Sequence, residues 1–96
     1  MELREAIDRL DAFGEDATLY VDGEPAQWTP QSRTVAAVED VEAEVATVPA
    51  GAEGMTYFLE VAIAKEILAG WQANLGRDAT PDEKVERIIH YARYDA

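Results

Sequence analysis

The first residues of the chain place apolar side chains at helical spacing between charged ones. The apolar positions recur every three or four residues, at Leu3, Ala6, Ile7, Leu10 and Phe13. Gly14 follows the last of them, and glycine is a common residue just past the end of a helix. The pattern therefore predicts an amphipathic helix over about residues 2–13.

Two short segments rich in β-branched residues follow this helix. Residues 17–21 read Ala-Thr-Leu-Tyr-Val and end at an Asp-Gly turn dipeptide, and residues 34–38 read Thr-Val-Ala-Ala-Val. Each segment predicts a strand. Residues 22–32 contain two prolines and no periodic pattern, which predicts a loop long enough to be functional or to face a partner.

The acidic segment over residues 39–48 fits two periods. Its valines lie three or four residues apart, as on one face of a helix, but apolar and acidic residues alternate over residues 41–45. Alternation is typical of a strand with one side in water. We favour extended structure, because valine is a better strand former than helix former.

A second strand–helix pair follows the break at residues 49–54. Residues 55–60 read Met-Thr-Tyr-Phe-Leu-Glu, which predicts a strand that runs almost directly into a helix ending at Gly76. We expect the following residues on the buried side of that helix: Ile63, Ile67, Leu68, Trp71 and Leu75.

The last helix has a clear start signal. Thr80 can cap it, Pro81 suits its first position, and Glu83 can complete a capping box with Thr80. The resulting phase predicts a buried stripe of Val85, Ile88, Ile89 and Ala92. The same phase turns the following residues toward water or the margin of the stripe: Glu86, Arg87, His90 and Arg93.

These elements together predict an α+β fold. Ninety-six residues are enough for a single globular domain, residues 1–96. We expect a small, mainly antiparallel sheet of three to four strands, with about three helices packed largely on one face.

Three motifs lie in the second half of the chain. They are Val48-Pro49 after the acidic valine segment, Gly54-Met55-Thr56-Tyr57-Phe58-Leu59, and Tyr91-Ala92-Arg93-Tyr94-Asp95-Ala96. By these motifs the segment Val41–Ala96 resembles a family of small acidic bacterial and phage domains of unknown function. The resemblance implies an α+β fold and implies no activity and no site residue.

Charge excludes some partners. Eight Lys and Arg stand against 20 Asp and Glu, which gives a net charge of −12, and no two basic residues are adjacent. A protein that grips nucleic acid or an anionic membrane needs basic residues, so we expect neither partner. The opening residues are acidic and no uncharged run approaches the ~18 residues of a membrane span, so we expect a cytoplasmic protein.

The sequence offers few residues and no motif suited to catalysis or cofactor binding. The chain has no cysteine, and a nucleophilic triad would have to use Ser32 and His90 without a motif that activates the hydroxyl. The glycine spacing matches no phosphate-binding motif. We therefore expect no enzyme and no cofactor.

One alternation of acids matches only the opening of a calcium-binding loop. Asp40, Glu42 and Glu44 have the spacing of its first ligands, but Val45 and Gly51 stand where that loop needs glycine and glutamate. We expect no metal site.

The functional hypothesis rests on where the charged residues lie along the sequence. Residues 11–60 hold eleven acids and one base, Arg33, whereas the last 36 residues are nearly balanced. This predicts a strongly negative surface that binds a basic protein surface, such as that of a nuclease or a nucleic-acid-binding complex. Immunity proteins, antitoxins and phage anti-defence (anti-CRISPR-type) proteins are inhibitors of this kind.

The expected contact residues are Asp22, Glu24, Glu39, Asp40, Glu42 and Glu44. Trp28 has two interpretations: an aromatic anchor of the interface, or a plug at the sheet edge. The competing hypothesis for the whole chain is a structural or self-associating module that buries apolar surface in a homodimer.

Overall fold

A computed structural model of the chain describes residues 1–38 and 51–94. The elements in chain order are α1 (Leu3–Asp8), β1 (Ala17–Val21), β2 (Thr34–Val38), β3 (Thr56–Glu60), α2 (Val61–Leu75) and α3 (Pro81–Tyr94). Short 3-10 turns occur at Leu10–Ala12 and Pro25–Gln27. The predicted α+β fold, with an antiparallel sheet and three helices, is confirmed.

The three strands form an antiparallel sheet in the order β2-β1-β3. Ala17 lies opposite Val38 and Val21 lies opposite Thr34, so β1 and β2 pair over their full length. All five residues of β1, the central strand, are buried. The bounds predicted for β1 and β2 are confirmed.

A β-bulge interrupts the pairing of β1 with β3. Leu19 lies opposite Leu59 and Tyr20 lies opposite Tyr57, which leaves Phe58 as an extra residue in β3. Without a bulge, successive side chains of a strand point to opposite faces. The bulge lets Phe58 and Leu59, although adjacent, both join the main hydrophobic core.

The first helix is shorter than the sequence predicts. α1 ends at Asp8, Arg9 leaves the helical conformation, and the chain continues as the 3-10 turn Leu10–Ala12. The prediction of one helix over residues 2–13 is therefore wrong at the C-terminal boundary of that helix. The tighter turn still directs Leu10 into the core beside Leu3 and Ile7, which explains why the apolar periodicity extends beyond α1.

The last helix starts as predicted. The backbone N–H of Glu83 donates to Thr80 Oγ1 at 3.2 Å, and the backbone N–H of Thr80 donates to Glu83 Oε1 at 3.1 Å. This reciprocal pair is a capping box. Val85, Ile88 and Ile89 are buried in the core.

The second helix packs on the core with part of the side that the sequence predicts. Only Val61 and Ala64 of α2 are buried. Ile63, Ile67 and Leu68 are half-buried against the core, and the half-buried Trp71 and Leu75 lie outside it. Three of the five expected residues therefore pack on the core beside Val61 and Ala64, and the two nearest the end of the helix do not.

Candidate functional site

Ion pairs in the described ranges lie among the helices and the segments beside them. Arg4 of α1 contacts Asp82 of α3 at 3.0 Å, and Lys84 of α3 contacts Asp8 of α1 at 3.7 Å. Lys65 of α2 contacts Asp11 at 3.6 Å. A fourth pair joins Arg77 to Glu83. In the described ranges, four basic residues are thus paired with acids on the helical side.

The Arg77–Glu83 pair is the strongest of these by geometry. Both guanidinium Nη atoms donate to the carboxylate, with Arg77 Nη1 at 2.8 Å from Glu83 Oε1. Hydrogen bonds from Arg77, and then from the Thr80 backbone, lower the pKa of Glu83 from 4.5 to about 2. Because the Glu83 carboxylate is paired with Arg77 of the same chain, it is not available to a partner protein.

A different group of acids collects at one end of the sheet. Glu15 and Asp16 form the turn before β1, and Glu60 is the last residue of β3, opposite Thr18. Because the strands are antiparallel, the beginning of β1 and the end of β3 share one end of the sheet. We call Glu15, Asp16 and Glu60 the acidic end, and all three residues are exposed.

Within residues 1–38 and 51–94, none of the three acids of the acidic end forms an ion pair. Their charges are therefore turned toward solvent without a compensating cation on the described chain. Val38 ends the edge strand β2 at the same end of the sheet and is 63% exposed, so this end also presents an apolar side chain to solvent. The acidic run of the sequence begins at the next residue, Glu39.

Two of the expected contact residues follow the opposite end of β1. Asp22 comes directly after Val21, and its backbone N–H donates to the carbonyl of Arg33 at 2.9 Å. The backbone N–H of Glu24 donates to Gln27 Oε1 at 3.0 Å. The five residues of β1 span ~14 Å at ~3.4 Å per residue, so Asp22 and Val38 are separated by the length of the strand.

The other four expected acids, Glu39, Asp40, Glu42 and Glu44, lie outside the described residues, as does the predicted extended structure of residues 39–48. Their role, and that of Asp22 and Glu24, stays a prediction. The sequence hypothesis overlooked Glu15, Asp16 and Glu60. Their position at one end of the sheet follows from the antiparallel pairing of β1 with β3, which the list of acidic positions in the sequence does not show.

Trp28 belongs to the interior. Its side chain is only 4% exposed, its ring packs edge-on against Phe58 with centroids 4.8 Å apart, and its Nε1 donates to the carbonyl of Gly23 at 3.0 Å. A buried indole offers almost no area to another protein. The interpretation of Trp28 as an exposed anchor is therefore wrong, and the residue acts in the core.

The two residues considered for nucleophilic catalysis have ordinary surroundings. Ser32 Oγ accepts a hydrogen bond from the backbone N–H of Thr29 at 2.9 Å and so belongs to a local turn. His90 is exposed on α3, with its ring centroid 4.9 Å from that of Tyr94. Among the described residues, no cluster of three or more His, Asp or Glu is arranged to hold a metal.

Two further findings concern the chain as a whole. No helix in the described ranges is long and apolar enough to cross a membrane. No family model, no curated protein and no solved structure matches the sequence or the fold. The resemblance of Val41–Ala96 to small acidic bacterial and phage domains therefore stays a prediction.

Proposed function

We propose that the chain is a non-catalytic acidic binding protein whose acidic end covers a basic surface of a partner protein. In this function it acts as an inhibitor or adaptor, in the manner of immunity proteins, antitoxins and phage anti-defence proteins. A nuclease or another nucleic-acid-binding protein has a basic surface of the required kind.

One observation carries the proposal: Glu15, Asp16 and Glu60 share one end of the sheet and have no cation partner in the described part, whereas four acids of the helical side are paired within the chain, namely Asp8, Asp11, Asp82 and Glu83. Like charges that are gathered without a counterion repel one another and lower stability. A basic partner would relieve that repulsion on binding. The exposed Val38, at the same end of the sheet on the edge strand β2, would add apolar contact area beside the charges.

The test uses the full chain immobilised on a resin and a nuclease-treated lysate of the source cells. A protein retained by the parent is purified and its affinity is measured against two variants. The first carries Glu15→Gln, Asp16→Asn and Glu60→Gln. The matched control carries Glu5→Gln, Glu66→Gln and Glu86→Gln, which removes three exposed charges from the helices instead.

Because both variants have the same net charge, they separate the position of the acids from their number. We expect the first variant to lose most of its affinity and the control to bind like the parent. We also expect parental affinity to fall steeply toward ~0.5 M salt, where exposed charges are screened within a few ångströms. Equal affinity of all three proteins, or binding that is insensitive to salt, would contradict the proposal.

A further inference from the structure

The bulge in β3 places two exposed side chains of different chemistry on one face of the sheet. Tyr57 lies opposite Tyr20 of β1, and Glu60 lies opposite Thr18. Directly opposed residues of an antiparallel pair point to the same face, and Tyr20 and Thr18 share a face because they are two residues apart. Tyr57 and Glu60 are three residues apart and would point to opposite faces of a regular strand. The extra residue Phe58 therefore brings them onto one face.

This face of the sheet points away from the helices. Leu19 and Leu59, which alternate with these positions in the two strands, belong to the hydrophobic core that the helices cover. Tyr57 lies on the edge strand β3 and is 49% exposed. A half-exposed aromatic ring at the edge of a sheet offers contact area to another protein.

Tyr20 orients the exposed ring of Tyr57. The centroids of the two rings are 6.4 Å apart and their planes are at 87°, which is an edge-to-face contact. Tyr20 is only 7% exposed and lies on the central strand, so its own position is set by the sheet around it. A ring that is oriented before binding loses less conformational entropy when a partner packs on it.

The Glu60 side chain carries an exposed charge that the described part of the chain does not use. Glu60 is the N-cap residue of α2, but its side chain makes no capping hydrogen bond. Among the described residues it forms no ion pair, and the next cation along the chain, Lys65, pairs with Asp11. The carboxylate is therefore available to a cation of another molecule.

The ring and the carboxylate together fit the guanidinium group of arginine. Tyr57 and Glu60 are ~7 Å apart along the sheet, because their partners Tyr20 and Thr18 are two residues apart at ~3.4 Å per residue. A guanidinium group is planar, stacks on an aromatic face and donates two parallel hydrogen bonds to a carboxylate. The ammonium group of lysine is a compact, strongly hydrated charge without a plane that stacks.

We propose that Tyr57 and Glu60 form a binding site for an arginine side chain of the basic partner protein. Tyr57 stacks on the guanidinium plane, and Glu60 accepts its hydrogen bonds. The inference rests on the proposed function, because Glu60 belongs to the acidic end. It adds a preference for arginine over lysine at equal charge.

The test measures the affinity of the full chain at low salt for two fluorescently labelled peptides of equal charge, octa-arginine and octa-lysine. We expect the parent to prefer octa-arginine. Tyr57→Leu should lower the ratio of the two affinities by about 2- to 5-fold, the range for a cation–π contact at an exposed site. Tyr57→Phe keeps an aromatic ring and should retain the ratio of the parent.

Matched control variants lie on the helices. Tyr94→Leu removes an aromatic ring that is 65% exposed on α3, and Glu66→Gln removes an exposed carboxylate of α2. Neither should change the ratio, whereas Glu60→Gln should lower it because the guanidinium loses a charged acceptor of two hydrogen bonds. Circular dichroism establishes that each variant retains the fold. Glu60→Gln, at an exposed position, tests the site even if Tyr57→Leu fails to fold.

Three results would overturn the proposed arginine site. The first is equal affinity of the parent for the two peptides. The second is a preference for octa-arginine that is unchanged in Tyr57→Leu and in Glu60→Gln. The third is a parent that sediments as a dimer and a Tyr57→Leu variant that sediments as a monomer, which would assign the exposed ring to a second copy of the chain.

The same peptides separate this inference from the proposed function. The triple variant Glu15→Gln, Asp16→Asn and Glu60→Gln should bind both peptides more weakly than its helical control does. If it does so and the parent shows no preference for arginine, the acidic end binds basic proteins but the arginine site is wrong. If the triple variant and its control bind both peptides equally, or the parent binds neither, the proposed function fails as well.

Discussion

Arg93 of α3 donates a hydrogen bond from Nη2 to the carbonyl oxygen of Trp28 at 2.8 Å, across 65 residues of sequence. Its Nε donates to the carbonyl of Pro25 at 2.7 Å. The guanidinium therefore fastens the proline-containing loop before β2 to the last helix. The loop is also held from inside, because the indole of Trp28 packs on Phe58.

We predict that Arg93→Ala lowers the free energy of unfolding by about 1–2 kcal/mol, the range for charge-assisted hydrogen bonds partly replaced by water. Arg93→Lys should lower it by nearly as much, because an ammonium group does not have the planar fork that reaches both carbonyls. Urea unfolding measures both. Arg9→Ala, which truncates the same side chain at another exposed position, should have little effect. If Arg93→Ala lowered the free energy of unfolding and Arg93→Lys did not, the positive charge alone would account for the effect.

Local signals in the sequence were sufficient for the strands and the start of α3. β1 ends at an Asp-Gly turn, and the Thr80–Glu83 box is formed by residues three apart, so each signal lies within or next to the element that it bounds. Arg93 shows the limit of such signals. Its helical phase predicted a position toward water or the margin of the buried stripe, but could not indicate its partners, which lie 65 and 68 residues away.

The errors arise where tertiary contacts decide the conformation. The bulge at Phe58 depends on the pairing of β3 with β1, and no residue pattern within β3 marks it. The acidic end is likewise a product of strand order. In α2 the sequence period does not show how deeply each residue is buried: Val61 and Ala64 of the first turn are buried, whereas the predicted Ile67 is half-buried.

Core substitutions should distinguish α3 from α2. Ile88 is completely buried, so Ile88→Ala should destabilise the protein by about 2–5 kcal/mol through lost burial and a residual cavity. Ile67 is half-buried, and Ile67→Ala should cost at most about 2 kcal/mol. The difference is measured from the midpoints of urea unfolding, where the unfolding free energy of both variants must depend on urea concentration with the same slope. Equal losses would mean that α2 is buried as deeply as α3.

The pairing of Glu83 with Arg77 should make stability depend on pH in the acid range. Because the folded-state pKa of Glu83 is lowered from 4.5 to about 2, the folded state binds a proton less readily than the unfolded state does. The stabilisation is therefore complete above about pH 4.5, declines as the pH falls, and is absent below about pH 2.

Glu83→Gln tests this dependence, because glutamine can still complete the capping box with Thr80 but carries no charge. We expect the variant to melt below the parent at neutral pH and the two melting temperatures to converge as the pH approaches 2. Glu86→Gln, at an exposed position of the same helix, is the control. A constant difference between parent and Glu83→Gln across this range would show that the ion pair does not contribute.

The acidic end should lower stability in the absence of a partner. Glu15 and Asp16 are exposed neighbours without an ion pair in the described chain, so their replacement by Gln and Asn removes repulsion and no attraction. Glu60 is left in place, because it is the N-cap residue of α2, where the helix dipole favours a carboxylate. We expect the double variant to melt about 1–3 °C above the parent at low salt.

Salt supplies the decisive comparison for this prediction. Screening over ~8–10 Å at physiological ionic strength should shrink the gain, and ~1 M salt should nearly abolish it. The control variant Glu66→Gln with Glu86→Gln removes two exposed charges that each follow or precede a basic residue in the sequence, Lys65 and Arg87, so it should show no such gain. A gain that is equal in the control would assign the effect to net charge. A gain that persists in high salt would mean that the new amides act through hydrogen bonds, and the acidic end would then not be a site of stored repulsion.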